Sequence, residues 1–292
     1  MTQILLSVLV LGGLGLVFAL LIALTHRKFW VFEDPRVDAV ANMLPNSNCG
    51  ACGQAGCRAF AEALVKGAVQ AAGCTVMSPG DREDVAAYLG VDAGQAAKRV
   101  ARLLCAGGCD VAPNQAEYRG YATCKAAAAV VGGGKACAWG CLGLADCEVV
   151  CDFDAIYMNE ALLPVVIPER CTACGDCVET CPKDLFTLMP EDYKLIVQCK
   201  NLLEGDDATA VCRVACNACG RCALDAAPGV IAMVNGLAVV DYGKNELAGP
   251  EATARCPTGA IVWVEGAQFQ KTRAPKLMEA VARFSGGRIR SR

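Results

Sequence analysis

The sequence predicts an α+β chain in which one N-terminal transmembrane helix is followed by a series of small, cysteine-rich, metal-binding modules. Three observations predict it: a long uncharged run near the N-terminus, 21 cysteines in 292 residues, and short alternating apolar segments between the cysteine groups. Because 54% of the residues are apolar, the chain can bury an ordinary core without the disulfides that small secreted domains need. The cysteines are therefore predicted to be metal thiolates.

The first element is a membrane anchor. Residues 4–24 carry no charge, and a helix of this length spans roughly 31 Å, the thickness of one hydrocarbon core. No Lys or Arg precedes the run, as a signal peptide would require, whereas Arg27 and Lys28 follow it. The positive-inside rule then predicts a single pass through the cell membrane with the bulk of the chain on the cytoplasmic side.

The first cysteine group lies in a glycine-rich stretch. Residues 58–72 behind it are predicted to be helical, and glycines let backbone amides approach the sulfides of a cluster. His26 is the only histidine, so all-cysteine ligation leaves an iron–sulfur cluster or structural zinc, and the glycine density favours [4Fe–4S]. The predicted ligands are Cys49, Cys52, Cys57 and Cys74.

The second group contains the bacterial ferredoxin spacing C-x2-C-x2-C-x3-C-P at 171–182. Such a run implies a partner run, because its fourth cysteine ligates the other cluster. The upstream run has Leu144 where a cysteine belongs, and Cys137 is expected to substitute. The two predicted ligand sets are Cys137, Cys141, Cys147 and Cys181, and Cys151, Cys171, Cys174 and Cys177.

A third ferredoxin-like unit has kept one cluster. Ala226 stands at its fourth ligand position, and the later RCPTGAI motif has no run of cysteines before it. The fourth cysteine of one run and the first three of the other would ligate the same cluster, and all four are missing. The unit has therefore lost one whole cluster. The ligands predicted for the remaining cluster are Cys216, Cys219, Cys222 and Cys256.

Five cysteines remain, and a fifth cluster is expected from four of them. The main contributors are predicted to be Cys105, Cys109 and Cys124, completed by Cys199 or Cys212; a buried free thiol is the alternative for each. The spacing Cys-x12-Cys-x3-Cys occurs at 124–141 and again at 199–216, which indicates two related units.

Two strand pairs are predicted between the cysteine runs. Residues 153–168 alternate around a turn at Asn159 and Glu160, and residues 230–242 form a hairpin around Asn235 and Gly236. The predicted domains are the transmembrane anchor 1–28, a linker 29–45, the first [4Fe–4S] module 46–80, a helical spacer 81–104, a two-cluster ferredoxin-like βαβ module 105–198, a one-cluster ferredoxin-like module 199–265, and a basic tail 266–292.

Several functions are excluded by what the sequence lacks. It has no P-loop, and no glycine-rich turn lies between a strand and a helix, so no flavin or NAD is expected on this chain. A net charge of −3 indicates no nucleic-acid partner. Residues 271–292 hold seven Lys or Arg against one Glu, which suits anionic lipid, an acidic redox partner, or a disordered solvated tail. The chain is expected to relay single electrons.

The order of these parts resembles the B subunit of the Rnf-type ion-translocating electron-transport complex, in its longer, cysteine-rich form. The resemblance covers roughly residues 1–260, and the CGACGQAGC motif behind a membrane helix is its most specific part. It implies that reduced ferredoxin delivers electrons, which pass to membrane and flavin-carrying subunits and ultimately NAD, coupled to Na⁺ or H⁺ movement. The departures are Leu144, Asp152 and Ala226, with the basic tail. The alternatives are a membrane-tethered polyferredoxin serving another reductase and a zinc-rich assembly scaffold.

Overall fold

The computed structural model describes residues 2–29, 34–95 and 97–269, and these residues form short helices and two-stranded antiparallel sheets. This mixture confirms the predicted α+β class. The helices are α1 (Thr2–Phe29), α2 (Pro35–Met43), α3 (Cys57–Val65), α4 (Pro79–Leu89), α5 (Cys124–Ala129), α6 (Asp146–Val149), α7 (Asp176–Thr180), α8 (Gly205–Val211) and α9 (Arg221–Asp225). The strands are β1 (Arg99–Leu103), β2 (Ile156–Met158), β3 (Pro164–Val166), β4 (Phe186–Pro190), β5 (Leu195–Val197), β6 (Ile231–Val234), β7 (Leu237–Val240) and β8 (Ile261–Trp263).

Helix α1 is continuous, as the uncharged run predicts. Its segment Val8–Phe29 has 22 residues, a mean hydropathy of 2.7 and no buried side chains. Its large apolar side chains, such as Leu9, Leu16 and Ile22, are exposed along its length. Water disfavours such a surface, whereas a bilayer accommodates it. The helix is therefore long and apolar enough to cross a membrane.

Part of the predicted linker 29–45 is instead the helix α2, which packs on α3. The Asp34 side chain accepts a hydrogen bond from the Arg36 amide at 2.9 Å, and Pro35 occupies the first helical position. Val37 and Val40 are buried in the same core cluster as Phe60. The cap and the proline start the helix, and apolar burial stabilises it.

Helix α3 ends seven residues before the predicted end of the helix at 58–72. Gly67 adopts a left-handed φ of 70°, its amide donates to the Leu64 carbonyl at 2.9 Å, and the Ala68 amide donates to the Ala63 carbonyl at 2.9 Å. This is the Schellman pattern, which ends a helix at a glycine. A short 3-10 turn at Ala71–Gly73 then leads into Cys74.

The predicted helical spacer 81–104 is helical only in its first half. Helix α4 begins at a capping box between Ser78 and Asp81 and ends at Gly90, which is left-handed with φ 68°. Residues 99–103 then form β1, which pairs antiparallel with β4 from Arg99 opposite Pro190 to Leu103 opposite Phe186. The spacer prediction failed for this half because the partner strand is more than 80 residues away.

Two ferredoxin-like modules repeat one nested topology. In the first, β1 pairs with β4 around the β2–β3 hairpin; in the second, β5 pairs with β8 around the β6–β7 hairpin. Both predicted hairpins are confirmed, and Asn235 and Gly236 turn the second with positive φ values of 49° and 76°. The strand–helix order along the chain is that of the predicted βαβ modules, but each first strand pairs antiparallel with its module's last strand.

The module boundaries differ from the predicted ones at both ends. Strand β1 belongs to the first module rather than the spacer, and β5 belongs to the second, because it pairs with β8. Residues 266–269 are not tail: the Gln268 side chain accepts from the Leu103 amide at 3.0 Å and donates to its carbonyl at 3.1 Å. The basic part of the predicted tail, residues 271–292, lies outside the described residues.

The two modules pack directly against each other. Met189 of β4, Ile196 of β5 and Val264 share one buried cluster, and Tyr193 stacks on Tyr242 with ring centroids 5.1 Å apart. The buried Arg102 guanidinium donates to the Gly266 carbonyl at 2.6 Å. These contacts fix the relative position of the cysteine groups that each module carries.

Candidate metal centres

Five groups of four cysteines each surround one void in the described part of the chain. The voids enclose about 300 to 350 Å³ each, counting the space at their mouths. We number them centres 1 to 5 and take the N-terminal one first.

Centre 1 brings together the four cysteines predicted for the N-terminal module. Cys49, Cys52, Cys57 and Cys74 line one void with Phe60. The loop is held by the Asn48 side chain, which accepts from the Cys57 amide at 2.9 Å. A Cβ at Gly56 would lie 2.9 Å from the Asn48 Oδ1 atom, so glycine is needed there for this contact.

Centre 2 also has the predicted set. Cys151, Cys171, Cys174 and Cys177 line one void, with Ala101 of β1 at its wall. The Ala101 amide donates to the Cys171 sulfur at 3.5 Å. Strand β1, which the sequence analysis left outside the module, thus supplies a backbone donor to this centre.

Centre 3 differs from the prediction: Cys124, not Cys137, joins Cys141, Cys147 and Cys181. Cys124 opens α5 and lies beside the loop that carries Leu144; burial raises the pKa of its thiol, and the nearby backbone amides of Asp146 and Leu144 act to lower it. Cys124 thus supplies the fourth thiol of this void from outside the run, and Cys137 lines a different void.

The ligand loop of centre 3 nevertheless keeps the ferredoxin shape. The residues two and four positions after the first cysteine have positive φ in each of the three runs, which wraps the backbone around the void. These residues are Gly143 and Ala145, Ala173 and Gly175, and Ala218 and Gly220.

Centre 4 has the predicted set of Cys216, Cys219, Cys222 and Cys256. Burial acts to raise the pKa of Cys256, but the amides of Ile261, Thr258 and Ala260 and the Thr258 hydroxyl together bring it below its ordinary value. This sulfur is therefore prepared to be a thiolate.

Centre 5 does not match the prediction. Its void is lined by Cys105, Cys137, Cys199 and Cys212. Of the expected contributors only Cys105 takes part, both Cys199 and Cys212 are present, and Cys124 is in centre 3. Cys109 lines none of the five voids; it is exposed, with its sulfur 3.7 Å from the Glu160 carbonyl oxygen.

The sequence carried a signal for this arrangement that the prediction did not use. Cys137 precedes Cys141 by four residues, as Cys212 precedes Cys216, so the repeated C-x3-C spacing marks equivalent positions. The repeated spacing pairs Cys124 with Cys199, but this pairing is wrong. The structural equivalent of Cys199 is Cys105, because Cys199 follows β5 as Cys105 follows β1.

The voids fit a cluster better than a single ion. In tetrahedral zinc sites with Zn–S of about 2.3 Å, the sulfurs lie about 3.8 Å apart. Among the described residues, no three Cys, His, Asp or Glu side chains are placed to share one ion. Four thiols that face one void but are not placed to share one ion, with amides aimed at the sulfurs, suit an iron–sulfur cluster.

Burial raises the pKa of several of these thiols, which favours their protonated form in the metal-free chain. It raises the pKa of Cys141 and of Cys177 to about 12, and that of Cys199 to about 11. Iron must displace these protons, so cluster assembly releases protons and stabilises the folded modules.

Comparison with known families agrees with two of these regions. Residues 44–76 match the family model for an Fe-S cluster (FeS), which contains all of centre 1. Residues 164–187 match the 4Fe-4S binding domain (Fer4), which contains the ferredoxin run. Iron–sulfur binding by this chain follows.

Whole-chain relatives identify the family. The chain is 42% identical over 89% of its length, and 78% of the relative's, to the B subunit of the Na⁺-translocating ferredoxin:NAD⁺ oxidoreductase complex of Acetobacterium woodii. It is 38% identical over 93% of its length, and 96% of the relative's, to the B subunit of the proton-translocating ferredoxin:NAD⁺ oxidoreductase complex of Clostridium ljungdahlii. It is 34% identical over 87% of its length, and 96% of the relative's, to the B subunit of the ion-translocating oxidoreductase complex of Methanosarcina acetivorans. The chain belongs to the Rnf family of B subunits of ion-translocating ferredoxin:NAD⁺ oxidoreductase complexes.

Proposed function

We propose that this chain is the multi-cluster electron relay of its complex. It accepts electrons from reduced ferredoxin and passes them to membrane and flavin-carrying subunits that reduce NAD⁺ and move Na⁺ or H⁺. The observation that supports this most is the run of cysteine-lined voids through both ferredoxin-like modules, because a relay needs successive centres. We keep both Na⁺ and H⁺ as candidate ions because one relative is a subunit of a Na⁺-translocating complex and another of a proton-translocating complex.

We assign four ligand sets to [4Fe–4S] clusters. When bound, such a cluster stores and releases single electrons. The thiolates of each set would hold it, and backbone amides donate to ligand sulfurs, as Ala101 does to Cys171 and Leu185 does to Cys181, each at 3.5 Å. The sets are Cys49, Cys52, Cys57 and Cys74; Cys151, Cys171, Cys174 and Cys177; Cys124, Cys141, Cys147 and Cys181; and Cys216, Cys219, Cys222 and Cys256.

Helix α1 is proposed to anchor the chain in the cell membrane with residues 34–269 on the cytoplasmic side. Arg27 and Lys28 at its C-terminal end support this orientation, and the reducing cytoplasm suits thiolate clusters. Protease added to sealed right-side-out vesicles should leave the soluble part intact and should cut it after the vesicles are opened. Cleavage of the soluble part in sealed vesicles would show the opposite orientation.

The experiment that tests the relay uses Cys177→Ala in the assembled complex. We expect ferredoxin-dependent NAD⁺ reduction to fall to the level measured without ferredoxin, because centre 2 loses a ligand. The EPR signal of centre 1 should persist, since the two centres lie in separate modules. Cys109→Ala, which changes a cysteine outside all five voids, is the matched control.

Two results would contradict the proposal. Full NAD⁺ reduction by a Cys177→Ala complex that lacks the centre 2 signal would show that electrons bypass the ferredoxin-like modules. Loss of donor activity toward a different reductase, with NAD⁺ reduction unchanged, would identify a membrane-tethered polyferredoxin instead.

A further inference from the structure

We propose that centre 5 holds a [4Fe–4S] cluster shared by the two ferredoxin-like modules, and that this cluster is the electron path between them. The metal site follows from the positions of Cys105, Cys137, Cys199 and Cys212. Its part in electron transfer rests on the proposed function.

The four thiols of centre 5 are all buried and all face one void. Their exposed fractions are 7% for Cys105, 6% for Cys137, 9% for Cys199 and 5% for Cys212, and none forms a disulfide. The void of about 300 Å³ that they line is similar in size to those of the other centres. Free thiols used only for packing have no reason to converge on one space.

Backbone amides are aimed at two of these sulfurs in the same way. The Cys105 sulfur accepts from the amides of Gly107 and Cys141, each at 3.4 Å. The Cys199 sulfur accepts from the amides of Asn201 at 3.4 Å and Cys216 at 3.3 Å. N–H donors of this kind surround the ligand sulfurs of iron–sulfur clusters.

The site is built from equivalent positions in the two modules. Cys105 is the second residue after β1, and Cys199 is the second residue after β5. Cys137 and Cys212 each lie four residues before the first cysteine of their module's run. Each module thus contributes a matching pair of ligands, and centre 5 lies between the modules.

Contacts across the interface hold the two halves of the site in place. The Ala106 amide donates to the Gln198 carbonyl, and the Arg213 amide donates to the Val111 carbonyl, both at 3.0 Å. A Cβ at Gly107 would lie 3.2 Å from the Cys212 sulfur and 3.6 Å from the Cys105 sulfur. Glycine therefore leaves the space between the two ligand pairs open.

Centre 5 also adjoins the centres on either side of it. Cys141, whose amide donates to Cys105, lines centre 3; Cys216, whose amide donates to Cys199, lines centre 4. Each transfer along this path oxidises one cluster by one electron and reduces its neighbour by one, with no bond made or broken. Centre 5 therefore lies on the path between centre 3 and centre 4.

Iron and sulfide analysis of the full chain in its purified, anaerobic complex tests the site. Five clusters require about 20 iron atoms on this chain. The double variant Cys199→Ala, Cys212→Ala leaves two thiolates at centre 5 and should lose about four iron atoms, while the EPR signals of the other centres remain. Cys109→Ala should keep the full count.

The wild-type count decides the question if the double variant does not fold. About 16 iron atoms on the wild-type chain, zinc bound in place of iron, or an unchanged count in the double variant would each overturn the shared cluster. A supporting result is loss of centre 5 iron together with slowed reduction of centre 4. If the count is about 20 but ferredoxin reduces none of the clusters, the site stands and the proposed relay fails.

Discussion

At the scale of single residues, Cys124 and Cys137 differ most from the sequence prediction. Cys124 lines the void of centre 3, where Cys137 was expected, and Cys137 lines the void of centre 5. Leu144 showed that a ligand was missing, but sequence spacing pointed to the nearer cysteine, and only folding brings the amides of Asp146 and Leu144 to the Cys124 sulfur. We therefore predict that Cys124→Ala removes the centre 3 cluster. Cys137→Ala should leave it in place and remove only the centre 5 cluster, as EPR of the two purified variants would show. Loss of the centre 3 cluster in Cys137→Ala but not in Cys124→Ala would support the ligand set predicted from spacing, which contains Cys137.

Lys135 places a positive charge between centres 3 and 5. Its Nζ donates to the Gly107 carbonyl at 2.6 Å and to the Cys141 carbonyl at 2.7 Å, next to ligands of both centres. A unit charge roughly 10 Å from a cluster, at an effective dielectric constant of about 20, is worth about 1.7 kcal/mol, or about 70 mV for one electron. Because the charge favours the added electron, Lys135→Met should lower both reduction potentials by about this amount.

An EPR-monitored redox titration measures that shift. Lys125→Met is the matched control, since the Lys125 side chain is exposed and its removal should leave the potentials unchanged. Equal potentials in wild type and Lys135→Met would show that the charge is screened from both clusters.

At the scale of elements, local signals were predictable and distant pairings were not. The Asn235–Gly236 turn, the uncharged run of α1 and the cysteine runs each lie within a short stretch of sequence. Strands β1 and β5 pair with segments far along the chain, so their module membership needed the fold. Helix α2 had a usable signal in Asp34 and Pro35, but its position between the anchor and the first cysteines favoured a linker.

Strand β5 has only three residues, yet it is buried completely where the modules meet. Ile196 has 0% exposure and shares a core with Met189 and Val264. We predict that Ile196→Ala lowers the free energy of unfolding by about 2 to 5 kcal/mol. Chemical denaturation of the cluster-loaded protein would measure it, with Val239→Ala, whose side chain is exposed, as the control. A change below about 1 kcal/mol would mean that β5 does not hold the modules together.

Helix α1 is predicted to supply membrane attachment and nothing to the metal centres. Removing residues 1–33 should give a chain that remains in the soluble fraction and keeps the iron content of the full chain, because none of the five voids is lined by α1. Fractionation and iron analysis check both parts. A truncated chain that still sediments with membranes would point to another attachment site.

At the scale of the whole molecule, the cysteines account for the architecture. The five groups of four include every cysteine except Cys109, and both ferredoxin-like modules are arranged so that two cysteines of each line the void of centre 5. From counting and spacing, the sequence led us to expect four centres with assigned ligands and a fifth from the remaining cysteines. It also led us to expect that the fifth set draws on both modules, through Cys105 and through Cys199 or Cys212. It did not predict a matching pair from each module, because only the fold shows that β1 and β5 occupy matching places.

Freeze-quench EPR of the complex tests the central claim most directly. When the oxidised complex is mixed with reduced ferredoxin, the clusters of this chain should become reduced within one turnover, and later addition of NAD⁺ should reoxidise them. We predict that the reduction of these clusters by ferredoxin and their reoxidation by NAD⁺ are each no slower than NADH formation. NADH formation while the clusters of this chain stay oxidised would contradict it.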